Sequence, residues 1–148
     1  MGVSELRDSV GTEQLGASRP KTSSVVRPLD GGGARVVLYT SAECWRGAGI
    51  SFVNIARGLE RHGFQPHVVS LCAEVTEEFV QAGVPGTQLP RRKGEAWRLR
   101  KFLASFGAEV LLVDRAHDIR IGTLAVLGTR TALVSRYNHF RAKPPEDL

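Results

Sequence analysis

The chain has 148 residues, of which 42% are hydrophobic and 24% charged; that balance suits one soluble globular domain and excludes a chain disordered throughout. No run approaches the ~18 apolar residues of a membrane span. The start has no signal-peptide-like apolar stretch and carries Glu5, Asp8 and Glu13, so the cytoplasm is the expected compartment. The net charge is +5 with a pI near 9.8, which keeps a basic nucleic-acid-binding domain among the alternatives.

Residues 1 to 34 read as a disordered leader: Gly, Ser, Thr and Pro are frequent, apolar residues are isolated, and the stretch closes on Asp30-Gly31-Gly32-Gly33. Such a composition cannot bury enough apolar area to offset the entropy of ordering. From Arg35 the texture changes, and residues 35 to 148 form the expected domain. Val36-Val37-Leu38-Tyr39 is the continuous apolar run of a strand buried on both faces. A glycine-bearing loop, Ala42 to Gly49, leads to Ile50, Val53, Ile55, Ala56 and Leu59 at helical spacing, and Gly63 stops that helix. Pro66 to Leu71 is a second strand, Val75 to Ala82 a short helix closed by Gly83, and Thr87 to Leu89 a third, edge strand. Glu95 to Phe106 is a helix ended by Gly107, and Val110 to Val113 a fourth strand. Asp118 caps a helix from Ile119 to about Leu127, broken by Gly128, and Thr131 to Ser135 is a fifth strand.

Five alternations of strand and helix with short connections predict a Rossmann-like, doubly wound parallel sheet in three layers. The usual winding puts the first strand at the centre with the fourth beside it. The binding crevice then lies outside the carboxyl ends of those two strands, at Ala42 to Gly49 and at Asp114 to Asp118.

Motifs for other chemistries are absent. The loop Glu43-Cys44-Trp45-Arg46-Gly47-Ala48-Gly49 is no dinucleotide fingerprint, because position 52 is Phe, and no P-loop, because GKS or GKT is missing. There is no CxxC or HExxH, and the histidines at 62, 67, 117 and 139 are scattered, so neither a metal nor a cofactor is implied. Cys44 and Cys72 read as free thiols of a reducing compartment.

The order VVLYTS, glycine-bearing loop, ISFVNIARGLERHGF, PHVVSLCAE, EVLLVDRAHD and TRTALVSRYNH resembles the opening of the family 4 glycosyltransferases, over residues 35 to 139. The resemblance implies the amino-terminal, acceptor-side half of a two-domain GT-B fold, transferring a sugar from a nucleotide-sugar donor to a sugar or lipid-linked acceptor. In that family the donor site, with its pair of glutamates seven residues apart, lies in a second Rossmann domain. The expectation is therefore of an incomplete or truncated product whose partner domain is missing, with negligible turnover alone. The family's first-loop glycines appear here as Gly47 and Gly49.

His117, at the end of the fourth strand, is the candidate catalytic group, since imidazole exchanges a proton near neutrality. Gly47 and Gly49 supply room and amide donors. Arg46, Arg115, Asp118, Arg136, Asn138 and His139 complete the candidate substrate-binding set, and Gly47, Gly49, His117 and Arg136 are expected in one pocket. Between Arg91 and Lys101 stand six basic residues against one acid, Glu95. This segment is a solvated helix face, or a contact of Arg91, Arg92 and Lys93 with an anionic membrane surface. A nucleic-acid patch is the weaker alternative, since Trp97 and Phe102 are wanted by the core and no RRM, KH or helix-turn-helix signature accompanies them. A non-catalytic binding or assembly module is the rival from another class.

Overall fold

A computed structural model describes residues 32–136. The expectations for residues 1–31, and for Asn138 and His139, lie outside these described residues. Nine elements alternate: β1 (Arg35–Thr40), α1 (Gly47–Arg61), β2 (Gln65–Ser70), α2 (Ala73–Gln81), β3 (Gly86–Gln88), α3 (Glu95–Phe106), β4 (Val110–Val113), α4 (Ala116–Val126) and β5 (Ala132–Ser135). The sheet runs β3-β2-β1-β4-β5 and every pairing is parallel. This is the Rossmann-like winding expected, with β1 central and β4 beside it.

The period of two in β1 builds both cores. Val36 and Leu38 face Phe52, Val53 and Ala56 of α1 and Val75 and Phe79 of α2. Val37 and Tyr39 face the other way, onto Leu99 and Leu103 of α3 and Ala125 of α4. A central strand buried on both faces needs a continuous apolar run, and Val36 to Tyr39 supply it. Close approach of α4 to the sheet depends on Gly122, where a Cβ would lie 3.1 Å from Leu133 and 3.3 Å from Leu111 and Val113. Gly63, Gly83, Gly107 and Gly128 all take positive φ just past helix ends, as their positions in the sequence suggest.

Three expectations need correction. The leader does not extend to residue 34: Ala34 is buried, and Gly33 packs so tightly on the Gly63 carbonyl that no Cβ would fit. Helix α1 begins at Gly47, three residues before its apolar periodicity, so both glycines of the loop belong to its first turn. Trp97 is not in the core. It is 61% exposed, with the Lys101 ammonium 4.2 Å from its ring centre, because Leu99 and Leu103 fix the buried face of α3 and Trp97 falls on the other side. Among the described residues no helix is long and apolar enough to cross a membrane.

Candidate functional site

In a parallel sheet every strand-to-helix turn leaves at the same edge. Here that edge carries an open cleft of about 510 Å³. The turn after β1 contributes Ser41, Glu43, Cys44 and Arg46, the segment before α3 contributes Arg91, α3 contributes Glu95, and the turn after β4 contributes Arg115 and His117. The N-cap residues of α1 and α4 are Arg46 and Arg115, both extended and neither giving a side-chain cap. Ser, Thr, Asp or Asn would ordinarily stand there, with a side-chain oxygen accepting from the first amides. Guanidinium groups instead add positive charge to the positive ends of two helix dipoles, beside the carboxylates of Glu43 and Glu95.

The turn after β1 is tied down from three sides. Both oxygens of Asp118 accept from the Ser41 backbone N–H, at 3.2 and 3.3 Å. Arg91 donates to the Ser41 carbonyl at 3.0 Å and pairs with Glu43. The Cys72 thiol lies 3.5 Å from the Glu43 carbonyl. At the cleft, Nε2 of His117 is 3.0 Å from Oε2 of Glu95. The Arg91–Glu43 pair is exposed on both sides, so it contributes little stability, about 0–1 kcal/mol. Its consequence is to hold the segment before α3 over the first turn.

Behind this cleft lies a smaller recess of about 10 Å³, room for one water. Trp45 lines it and packs edge-on against Phe79 with ring centres 4.8 Å apart. A Cβ on Gly49 would sit 2.7 Å from the Trp45 ring, so this glycine makes room for an indole. Nothing lies within 4 Å of the position a Gly47 Cβ would take. Asp114 also lines the recess, and its Oδ1 is buried without a hydrogen-bond partner among the described residues.

Burial raises the carboxyl pKa of Asp114, against the lowering influence of Arg115 and Arg136. Burial also raises that of Asp118, and the hydrogen bonds from Ser41 oppose it. The Tyr39 phenol is pushed up by burial, then by Glu95 and Asp118. Among the described residues no three of His, Cys, Asp and Glu gather to hold a metal ion.

The structure brings Arg46, Arg115 and His117 together on the open cleft. Gly49 opens instead onto the recess, which shares Cys44, Arg46 and Arg115 with the cleft. Arg136 lines neither: its guanidinium reaches Ser51 in the first turn of α1, and its backbone N–H donates to the Val113 carbonyl. The single pocket expected for Gly47, Gly49, His117 and Arg136 is therefore divided. Asp118 is fully buried and lies inside α4, not at its cap, so its carboxylate serves Ser41 and does not reach the cleft. All three basic residues expected on a membrane surface are exposed, but Arg91 is also bonded to Ser41 and Glu43 at the cleft. Sequence reasoning gave Ser41 and Glu95 no place in the site, left Glu43 as a loop residue without a role, and put Arg91 on a membrane surface and not at the cleft. The signal for Glu95 was topological, since a helix crossing back from β3 to β4 must start at the same edge as the turns after β1 and β4.

No family model and no curated protein matches the chain. Among solved structures it is similar to a glycosyltransferase from Rickettsia africae, with a TM-score of 0.59 and 11% identity. The likeness is one of fold, a Rossmann-like parallel sheet with helices on both faces. That match covers 69% of this chain, which spans 29% of the length of the Rickettsia protein. A glycinamide ribonucleotide transformylase from Symbiobacterium toebii matches over 69% of this chain and 50% of its own, at 14% identity and a TM-score of 0.48.

Proposed function

We propose that this domain supplies the acceptor side of a sugar transfer from a nucleotide-sugar donor. The observation that carries it is the cleft itself: an open space at the switch point of the sheet, walled by the arginine-capped amino termini of α1 and α4 and bearing one exposed imidazole. Sugar transfer needs stabilisation of a leaving diphosphate and a positioned acceptor hydroxyl. Arg46 and Arg115 suit the first requirement and His117 the second. The glycosyltransferase-like fold supports the same reading. Differential binding of a transition state requires both walls of a cleft, and the donor wall is assigned to a second domain.

The test is amide NMR on the 148-residue chain, titrated with simple methyl glycosides and then with nucleotide sugars. Glycosides are expected to move the amides of Ser41, Glu43, Arg115 and His117, with negligible sugar transfer. Perturbations confined to another edge of the sheet, or robust transfer by this chain alone, would overturn the assignment.

A further inference from the structure

His117 and Glu95 come from different helices, yet their side chains meet at the cleft with Nε2 and Oε2 3.0 Å apart. The two are unequally placed: the Glu95 side chain is 15% exposed and that of His117 57%. The carboxylate is thus the sheltered member and the ring the one that meets solvent. An ionised carboxylate can only accept, so in the neutral ring Nε2 carries the hydrogen and Nδ1 the lone pair. Nδ1 makes no hydrogen bond among the described residues, which leaves it available to whatever occupies the cleft. An acid in the first turn of α3 is favoured by the helix dipole alone. That preference does not explain why it is largely withdrawn from solvent and paired with an imidazole on the neighbouring helix.

We infer that Glu95 is a positioning residue: it locks His117 in the Nε2–H form, so that Nδ1 accepts the proton of an acceptor hydroxyl. The inference rests on the sugar-transfer reading above. In the step it serves, the acceptor oxygen bonds to the anomeric carbon of a nucleotide sugar. The bond from that carbon to the phosphate oxygen breaks, and the leaving nucleoside diphosphate keeps the electron pair. The acceptor's proton passes to Nδ1, and the imidazolium formed is stabilised by the Glu95 carboxylate. The other charges facing the cleft are Arg46, Arg91 and Arg115 and the carboxylate of Glu43.

Long-range nitrogen-proton NMR of the full 148-residue chain tests this at about pH 8.5, where an ordinary imidazole is neutral. His117 is assigned by its loss in His117→Gln. The wild-type ring is expected to be almost entirely Nε2–H, and Glu95→Gln, which keeps the shape, is expected to raise the Nδ1–H fraction several-fold. Methyl α-glucoside is then added. Its hydroxyl should move the Nδ1 resonance in the wild type and move it less in Glu95→Gln, whereas a mere tie between two helices leaves Nδ1 indifferent to ligand. A wild-type ring rich in Nδ1–H, or a proton distribution unchanged in both Glu95→Gln and Glu95→Ala, overturns the role of Glu95. So does an unmoved Nδ1 when the glucoside registers at the Ser41 amide. A locked ring with no response to any glycoside at Ser41 instead defeats the sugar-transfer reading and leaves the lock standing.

Discussion

Asp118, fully buried in the first turn of α4, holds the backbone N–H of Ser41 at the end of β1 with both carboxylate oxygens, across 77 positions of chain. The contact joins the two turns that flank the switch point, and it sets where the cleft's first wall begins. Asp118→Ala is expected to destabilise the fold by about 1–3 kcal/mol, because the partly buried Ser41 amide loses its acceptor. Asp118→Asn keeps an acceptor and removes a charge that burial penalises. Its stability at neutral pH should stay within about 1 kcal/mol of the wild type. Urea denaturation of the three proteins checks this, and equal losses in both variants would mean that the charge matters more than the acceptor.

Gly49 and Trp45 make a second relationship that a phosphate-cradle reading of the loop overlooks. With a Cβ only 2.7 Å from the indole, Gly49→Ala must expel Trp45 from its seat against Phe79. The expected cost is about 1–3 kcal/mol, typical of overpacking. In a Trp97→Phe background, where Trp45 is the remaining tryptophan, its emission should shift to the red. Gly47→Ala, facing open space, should do neither. Retained blue emission in Gly49→Ala would show that the ring can yield without leaving.

Strand order and the edge that carries the cleft were legible because they follow from alternation and winding, which need only the apolar runs and the glycine stops. The start of α1 was not legible: Gly47, Ala48 and Gly49 carry no apolar period, and Arg46 is not a residue that signals a cap. Asp118 looks like a cap for the opposite reason, being a favoured cap type just ahead of an apolar helical stretch. Only its contact with Ser41, far away in the chain, reveals what the carboxylate does. Trp97 was legible in principle. It stands two residues before Leu99, about 200° around the helix, so phase outweighs its hydrophobicity. The division of the cleft from the recess was beyond the sequence, because it depends on where the side chains of Trp45, Arg46 and Arg115 come to rest.

The basic segment now separates into parts with different expected behaviour toward anionic vesicles. Arg91, Arg92 and Lys93 are all exposed, but Arg91 is engaged by Ser41 and Glu43, and Trp97 stands outward under Lys101. Each basic residue near an anionic surface contributes on the order of 1 kcal/mol. Replacing Arg92 and Lys93 with Ser is expected to weaken vesicle co-sedimentation roughly tenfold or more at low salt. Arg91→Ser should weaken it much less. Equal effects at all three positions would count against this division, and no change in any would remove the membrane from consideration.

His67 provides the pH-dependent prediction. Its ring lies between β2 and α3, with Nε2 2.8 Å from the Thr87 hydroxyl and ring centres 5.4 and 4.9 Å from Phe102 and Phe106. Burial lowers its pKa below the ordinary 6.5. The folded state therefore binds this proton less readily than the unfolded chain does. Stability from the neutral ring is whole above about pH 6.5 and is lost as the pH falls from there toward the lowered folded value. Asp114 and Asp118 act in the opposite sense, because their raised values let the folded state take up protons first. Both carboxyls are present in the wild type and in His67→Phe alike, so comparing the two proteins isolates the ring. Between about pH 8 and pH 5.5 the urea midpoint of the wild type should fall, and His67→Phe should flatten that fall even though it sacrifices the bond to Thr87. The slope, not the absolute midpoint, is the quantity that isolates the ring. An identical slope in the two proteins would assign the acid sensitivity to another group.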